Sequence, residues 1–168
     1  MKRFLVFGLA AGLCLVASGC GPDTHDTLIQ RTTGLMDKAA AQVAAIKEEV
    51  SKATESARKG NLFKLDEAVK AAQALKETGK EAQALKKKIS EIRGSITDDD
   101  KKANLEKNRG TINSKFRELM SRREELRVAM EDATKYFLER KDNEAKLAIE
   151  DLRKKLVEAE APFEQLAN

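Results

Sequence analysis

The sequence has few of the residue types that build catalytic and metal-binding sites. It contains one histidine, two cysteines and no tryptophan, and aromatic residues make up 4% of the chain. It has no glycine-rich phosphate loop, no Ser/His/Asp or Cys/His set and no Glu-x-x-His metal pair. It also offers few aromatic side chains on which nucleic-acid bases could stack. We therefore expect a protein that is not an enzyme, with no cofactor, no small-molecule substrate and no nucleic-acid partner.

Proline is also rare. The two prolines are Pro22 and Pro162, so the long segment between them contains no residue that forbids an α-helix. Charged residues make up 36% of the chain, and Ala, Glu, Lys, Leu and Arg dominate, which is typical of long helices and coiled coils. No segment has the pattern of a β-strand. The predicted fold class is all-α, an antiparallel helical bundle or coiled-coil hairpins of three to four long helices.

Apolar residues recur at alternating steps of three and four, which places them on one stripe of each helix. The spacing predicts helices at about 24–58, 62–93, 98–141 and 143–166. Two polar residues, Arg123 at a seam position and Asn108, are interpreted as residues that fix the helix register. For Arg123, the alternative is a side chain that extends out of a loose bundle. The predicted seam residues are Leu35, Ala39, Val43, Ile46, Val50, Ala53 and Ala57 in the first helix, Leu62, Leu65, Val69, Ala72, Leu75, Ala82, Leu85, Ile89 and Ile92 in the second, Leu105, Ile112, Phe116, Leu119, Leu126, Met130, Ala133, Phe137 and Arg140 in the third, and Ile149, Leu152, Leu156, Ala159, Phe163 and Leu166 in the fourth.

The connections between the helices are expected to be short. Gly60 is predicted to end the first helix as a C′ glycine, and Asn61 to cap the second. Only Asp142-Asn143 marks a break between the third and fourth helices, so a turn and a continuous helix both remain open. Because helices joined by short turns are antiparallel neighbours, we expect an up-and-down arrangement. The stripes are narrow and bury little surface, so self-association is also expected.

An acidic triplet, Asp98, Asp99 and Asp100, opens the third helix. Thr97 and Asp100 resemble a capping box, and carboxylates are favourable at the positive end of a helix dipole. A calcium loop is the alternative, although the triplet lacks the alternating ligand spacing of such loops. The single histidine, His25, has no partner in sequence that would make a metal site, so we expect no bound metal.

The first twenty residues have the features of an export signal. Its parts are, in order, the basic pair Lys2 and Arg3, the apolar run from Phe4 to Val16 and the tetrad Ala17-Ser18-Gly19-Cys20. A basic region, an apolar region and small residues before the cut are what translocation and cleavage require. Residues 4–22 carry no charge, so an uncleaved membrane anchor of near-minimal length is an alternative.

The tetrad Ala17-Ser18-Gly19-Cys20 resembles the lipobox of bacterial lipoproteins. Membership in that class implies removal of residues 1–19 as a signal peptide, a diacylglycerol on the Cys20 thiol, and palmitate or another acyl chain on its new amino group. Residues 20–23 then tether a helical domain, 24–168. Gly21 after the cysteine favours the outer membrane if the source has two membranes. Ordinary cleavage, giving a secreted or periplasmic chain with a free Cys20, is the alternative.

Cysteine usage is consistent with lipidation. Cys14 lies in the segment that cleavage would remove, which leaves Cys20 as a lone thiol in an oxidising compartment. Acylation removes that liability, and two or three acyl chains together make a stable anchor.

Basic residues are concentrated in the middle of the chain, where residues 86–123 carry twelve basic and six acidic side chains. If the first helix starts at the membrane, the second returns to it, and the turn at Gly94 lies near the headgroups. Each lysine there contributes about 1 kcal/mol against an anionic surface. A solvated helix face with i,i+4 partners is the alternative. The predicted membrane-surface patch consists of Lys86, Lys87, Lys88, Arg93, Lys101 and Lys102.

The sequence thus predicts a location more firmly than an activity. We expect a membrane-anchored coiled-coil lipoprotein of the cell envelope that acts as a structural or adaptor module. Its partners would be membrane lipid through Cys20, and either further copies of itself or an envelope protein. The alternative is an amphiphile-binding or inhibitory periplasmic module, in which an amphipathic bundle opens around lipid or blocks an enzyme.

Overall fold

The computed structural model describes residues 25–93 and 99–167, without the side chains of residues 92–93, 99–106 and 164–167. These ranges form four helices: α1 His25–Arg58, α2 Asp66–Arg93, α3 Asp99–Glu139 and α4 Asn143–Ala167. No strand occurs in the ranges described. The all-α prediction is confirmed. Seven of the eight predicted helix ends agree to within two residues, and the start of α2 differs by four.

The first hairpin turn closes α1 with a Schellman motif. Gly60 has a φ of 87°, a conformation that costs glycine little. Its amide donates to the carbonyl of Ala57 over 3.0 Å, and the amide of Asn61 donates to the carbonyl of Ser56 over 3.1 Å. These two bonds satisfy carbonyls that the end of a helix otherwise leaves unpaired. The C′ glycine predicted at this position is confirmed.

The prediction that Asn61 caps the second helix is wrong. Residues 61–65 are not helical, and α2 begins at Asp66. The side-chain amide of Asn61 instead donates to Ser56 Oγ over 3.2 Å. Leu62, predicted to be a seam residue, is 73% exposed, whereas Phe63 packs on Phe137 with their ring centroids 4.4 Å apart. The non-helical segment therefore packs Phe63 against Phe137 where the first turn of the predicted helix was expected.

The second hairpin turn separates α3 from α4 and settles the question of their continuity. Lys141 adopts the left-handed conformation with a φ of 55°. Its amide donates to the carbonyl of Leu138 over 3.2 Å, and the amide of Asp142 donates to that of Phe137 over 3.1 Å, a second Schellman motif. Asp142 Oδ1 then accepts from the amide of Ala145 over 3.0 Å, so Asp142 is the N-cap of α4.

The four helices form two hairpins that lie side by side. α1 and α4 each pack against both α2 and α3. Lys115 Nζ lies 2.7 Å from Asp37 Oδ1, and Lys47 Nζ lies 2.6 Å from Glu125 Oε2, so residue numbers rise together along α1 and α3. These two helices are therefore parallel.

The α2 and α4 helices are parallel as well, since Lys76 Nζ lies 2.7 Å from Glu158 Oε2 and Gly79 lies against Pro162. Within the part of the chain described, α2 and α3 do not pack against each other, although they are consecutive and oppositely directed. In the described residues, consecutive helices are therefore antiparallel neighbours, as expected, only within the two hairpins, α1–α2 and α3–α4. The contacts between the hairpins join parallel helices, α1 with α3 and α2 with α4.

Most predicted seam residues form the core. The core is continuous along all four helices and is made mainly of Ala, Leu, Ile and Val. In α3 the apolar seam residues from Leu119 to Phe137 are buried, while Ile112 and Phe116 are half-buried. Buried Thr32 and Thr54 donate their hydroxyls to the carbonyls of Leu28 and Val50. These bonds within α1 satisfy the hydroxyls without a partner from another helix.

Candidate functional site

The directions of the helices give the bundle two different ends. Because α1 and α3 are parallel and each is followed by a turn, both turns lie together at what we call the hairpin end, residues 58–65 and 136–144. The tether end contains the start of α1 and the end of α2. At 1.5 Å per residue, the 34 residues of α1 hold these ends about 50 Å apart.

The helix segments that contain the predicted basic patch lie at the tether end. Lys87 and Lys88 are exposed near the end of α2, and Lys86 is half-buried. Lys86 and Lys88 each interact with another group of the protein. The remaining side chains of the patch, those of Arg93, Lys101 and Lys102, lie outside the described part of the structure.

The first turns of α3 also lie at the tether end. Asn108 Nδ2 donates to Asp26 Oδ1 over 3.3 Å, which fixes the level at which α1 starts relative to α3. The part of α3 that contains Lys101 and Lys102 precedes this level by one to two helical turns. The backbone therefore brings the start of α3 and the last turns of α2 to the same end as the first residue of α1.

Other predicted features fall outside the description or show no ligand set. Cys20, the signal residues and the side chains of Asp98 to Asp100 lie outside it. His25 Nδ1 lies 3.8 Å from Asp26 Oδ1. No group of three or more potential metal-ligating side chains was found among the residues described. Within the same ranges, none of the helices is long and apolar enough to cross a membrane.

Arg123 pairs with an acidic residue that sequence reasoning missed. Its Nε lies 2.8 Å from Oε2 of Glu160, which belongs to α4 and is 7% exposed. A charge this far from water is stable only when paired. The pair joins α3 to α4 at one level and so supports the register role proposed for Arg123. The available signal was the position of Glu160, four residues after the seam residue Leu156.

The hairpin end carries a cluster of aromatic rings. Phe137 is 2% exposed and packs against Phe63 and, edge-on at 4.9 Å, against Tyr136. The hydroxyl of Tyr136 donates to the carbonyl of Ala57 over 3.3 Å. The cluster thus ties the end of α3 to the end of α1 and to the first connection.

Two arginines lie over the Tyr136 ring. The guanidinium carbon of Arg140 is 4.7 Å from the ring centroid, and that of Arg58 is 5.4 Å from it. Both distances are within the range of cation–π attraction. The i,i+4 spacing of Tyr136 and Arg140 could have been read from the sequence, whereas Arg58 reaches the ring only through the parallel packing of α1 and α3.

Exposed apolar side chains add to this surface. Leu62 is 73% exposed and Leu138 is 52% exposed, and each is adjacent in sequence to a residue of the aromatic cluster. Large apolar residues left in water next to aromatic and arginine side chains are typical of surfaces that contact a partner. The hairpin end is therefore a candidate interaction site.

A second candidate lies along the shallow groove between α3 and α4. The groove has a volume of about 570 Å³, and its apolar lining includes Met120, Leu126, Met130, Leu156 and Val157. Arginine and glutamate side chains form its rim, among them Arg127, which is bound to Glu124 and Glu131.

Comparison with known proteins gave no match: no family model, no curated protein and no solved structure is similar to this chain at a significant level.

Proposed function

We propose that this protein is a lipid-anchored adaptor of the bacterial cell envelope that presents its hairpin end to a partner about 50 Å from the membrane. The anchor is the lipid on Cys20, and the partner is an envelope protein or a further copy of the chain. The observation that carries the proposal is the common location of both turns at the end opposite the start of α1. No catalytic role is proposed.

The geometry supports this role in two ways. A tether of few residues before His25 would hold the start of α1 near the bilayer, and the parallel hairpins would then project away from it. The far end carries exposed Leu62 and Leu138 beside the aromatic cluster. A partner that covers these side chains would remove their apolar surface from water, and this burial would stabilise the complex.

The basic residues at the tether end would contribute a second, electrostatic contact with the membrane. Charge reversal of Lys86, Lys87 and Lys88 is expected to weaken the binding of a Cys20→Ala chain to anionic liposomes at low salt. Reversal of Lys52, Lys59 and Lys70 provides a matched control, since these lysines lie toward the hairpin end. Equal binding by the original and the Lys86–Lys88 variant would contradict this part of the proposal.

Site-specific cross-linking tests the adaptor role directly. A photoreactive amino acid replaces Leu138 at the hairpin end or, in the control, Val157 in the middle of α4, where 65% of the side chain is exposed. In intact cells we expect Leu138 to capture one defined envelope protein, or a second copy, and Val157 not to do so. The same capture in a Cys20→Ala background would show that the anchor is dispensable, and capture by Val157 alone would place the interface elsewhere.

The groove between α3 and α4 favours amphiphile binding as a second candidate function. Its Met120 and Met130 side chains are adaptable, which suits an apolar chain of variable shape. Circular dichroism and a fluorescent acyl probe distinguish the two functions. A gain in helix content on adding lipid, together with probe binding that Met130→Gln weakens, would support amphiphile binding. A bundle that melts cooperatively and whose helix content does not change with lipid would support the adaptor role.

A further inference from the structure

The hairpin end holds two arginines, Arg58 and Arg140, that form no ion pair with any acidic side chain the structure describes. Within the described ranges, Arg58 and Arg140 are exposed, and neither forms an ion pair; each instead lies over Tyr136. Asp132 and Glu55 line a groove together with Arg58, but Glu55 pairs with Lys59 and neither carboxylate lies within ion-pair distance of a guanidinium of the two arginines. The two positive charges therefore remain available to an external anion.

The ring that carries them is fixed in place. Tyr136 is half-buried, its hydroxyl donates to the carbonyl of Ala57, and its ring makes an edge-to-face contact with buried Phe137. Stacking on a fixed ring restricts both long side chains before any ligand arrives. A ligand then costs less side-chain entropy to bind than it would between two freely rotating arginines.

Both arginines are exposed, so donors of their guanidinium groups are accessible to a ligand. A guanidinium that stacks on a ring uses its face, while the N–H groups at its edge still point outward. The two distances to the Tyr136 centroid place the guanidinium carbons at most about 10 Å apart. Both side chains are exposed, so their rotation can bring the two forks to one tetrahedral group, whose oxygens can accept from two directions.

We propose that Arg58 and Arg140 form a phosphate-binding site at the hairpin end. Phosphate fits better than a carboxylate because it can carry two negative charges and offers more than one pair of oxygens to two guanidinium forks. The hairpin end is the surface assigned above to a partner, and a phosphate group is the ligand chemistry proposed for it. The phosphate site therefore rests on the proposed function. The phosphate group could belong to free phosphate or a monoester, or to the diester of a lipid headgroup.

Titration by nuclear magnetic resonance tests the site in the full-length protein, purified in a non-ionic detergent. The probes are inorganic phosphate, glycerol 3-phosphate and the diester glycerophosphoglycerol, each compared with chloride at equal ionic strength. We expect the Nε–H signals of Arg58 and Arg140 to shift on titration. Either arginine replaced by glutamine should weaken binding about tenfold or more. Arg117→Gln, which removes an exposed arginine elsewhere on α3, should leave it unchanged.

The outcomes distinguish the two sources of the phosphate group, and they separate the phosphate-site proposal from the adaptor proposal. Tighter binding of the diester would support a lipid headgroup, and tighter binding of the monoester or inorganic phosphate would support a free phosphate source. No shift beyond that in chloride, or equal binding by Arg58→Gln/Arg140→Gln, would overturn the proposal. Melting in chloride checks that the double variant still folds, and Arg58→Lys/Arg140→Lys, which keeps the charge without the fork, provides a second test. Cross-linking from Leu138 remains an independent test of the adaptor role.

Discussion

Replacing Gly79 by alanine would test how closely α2 and α4 pack. A methyl group at Gly79 would lie 2.9 Å from Cβ of Pro162 and 3.0 Å from Cε2 of Phe163. Carbon atoms in good contact are about 3.5–4.0 Å apart. Neither neighbour can move easily, because the proline ring is rigid and Phe163 is 1% exposed. The two helices must therefore separate to admit the methyl group.

The expected loss follows from two opposing effects. Overpacking of this kind costs about 1–3 kcal/mol, while alanine is favoured over glycine inside a helix by about 1 kcal/mol. The net change is a loss of up to about 2 kcal/mol of unfolding free energy. Gly34 and Gly110 are matched controls, since an added methyl group at either would meet nothing within 4 Å. Those variants should gain about 1 kcal/mol.

Urea unfolding followed by circular dichroism measures these differences. The three variants share the same chemical change, so the effects of alanine on the unfolded chain largely cancel. Adding Pro162→Ala to the Gly79→Ala variant removes the ring and should make the second substitution less harmful than it is in the original chain. If Gly79→Ala stabilises the protein as much as Gly110→Ala does, then α2 and α4 do not approach each other at this point, and the packing argument fails.

Three further predictions concern the backbone of Lys141 and two ion pairs between helices. Lys141→Gly should raise the unfolding free energy by about 1 kcal/mol in the same assay, because lysine is strained at a φ of 55° and glycine is not; a loss would refute this. Arg123→Ala should cost about 1–3 kcal/mol by removing the guanidinium that pairs with buried Glu160, and Glu160→Leu in the same chain should recover most of that loss. The hydrogen bond and charge of Lys47 lower the pKa of the Glu125 carboxyl below its usual 4.5, so this contact stabilises the fold above that value and is lost as the pH falls through the lowered pKa. Lys47→Met should return the pKa of Glu125 towards 4.5 in a proton-detected titration, and an unchanged value would show that Lys47 does not pair with Glu125.

The α3 seam shows how far the sequence predicts the fold. The buried residues from Leu119 to Phe137 follow from their spacing, because a regular heptad leaves one helical face apolar. Leu62 continued such a spacing into α2 and is exposed all the same. Its neighbour Phe63 contacts Phe137, a residue far along the chain, at the place where the spacing predicted one more turn of helix. Spacing within a helix carries no information about such distant contacts.

The break before α4 is a second case. Asp142 is a good N-cap by residue type, and the sequence marks it. The residue that reverses the chain is Lys141, whose side chain disfavours the left-handed conformation. Packing of α4 against α2 and α3 offsets this local cost. Intrinsic preference at this position therefore favoured continuity, and tertiary packing decided for the turn.

The candidate sites also depend partly on the sequence and partly on the tertiary structure. The sequence by itself determined the helical class, the approximate helix bounds and the apolar face of each helix, because spacing and proline content are local properties. Which faces meet is decided only by the tertiary structure, since narrow stripes of Ala, Leu and Val are nearly interchangeable as partners. The parallel pairing of α1 with α3 brings Arg58 to Tyr136, and the contact of α3 with α4 brings Arg123 to Glu160. Those side chains lie on different helices, so only the packing of one apolar face against another could place them together.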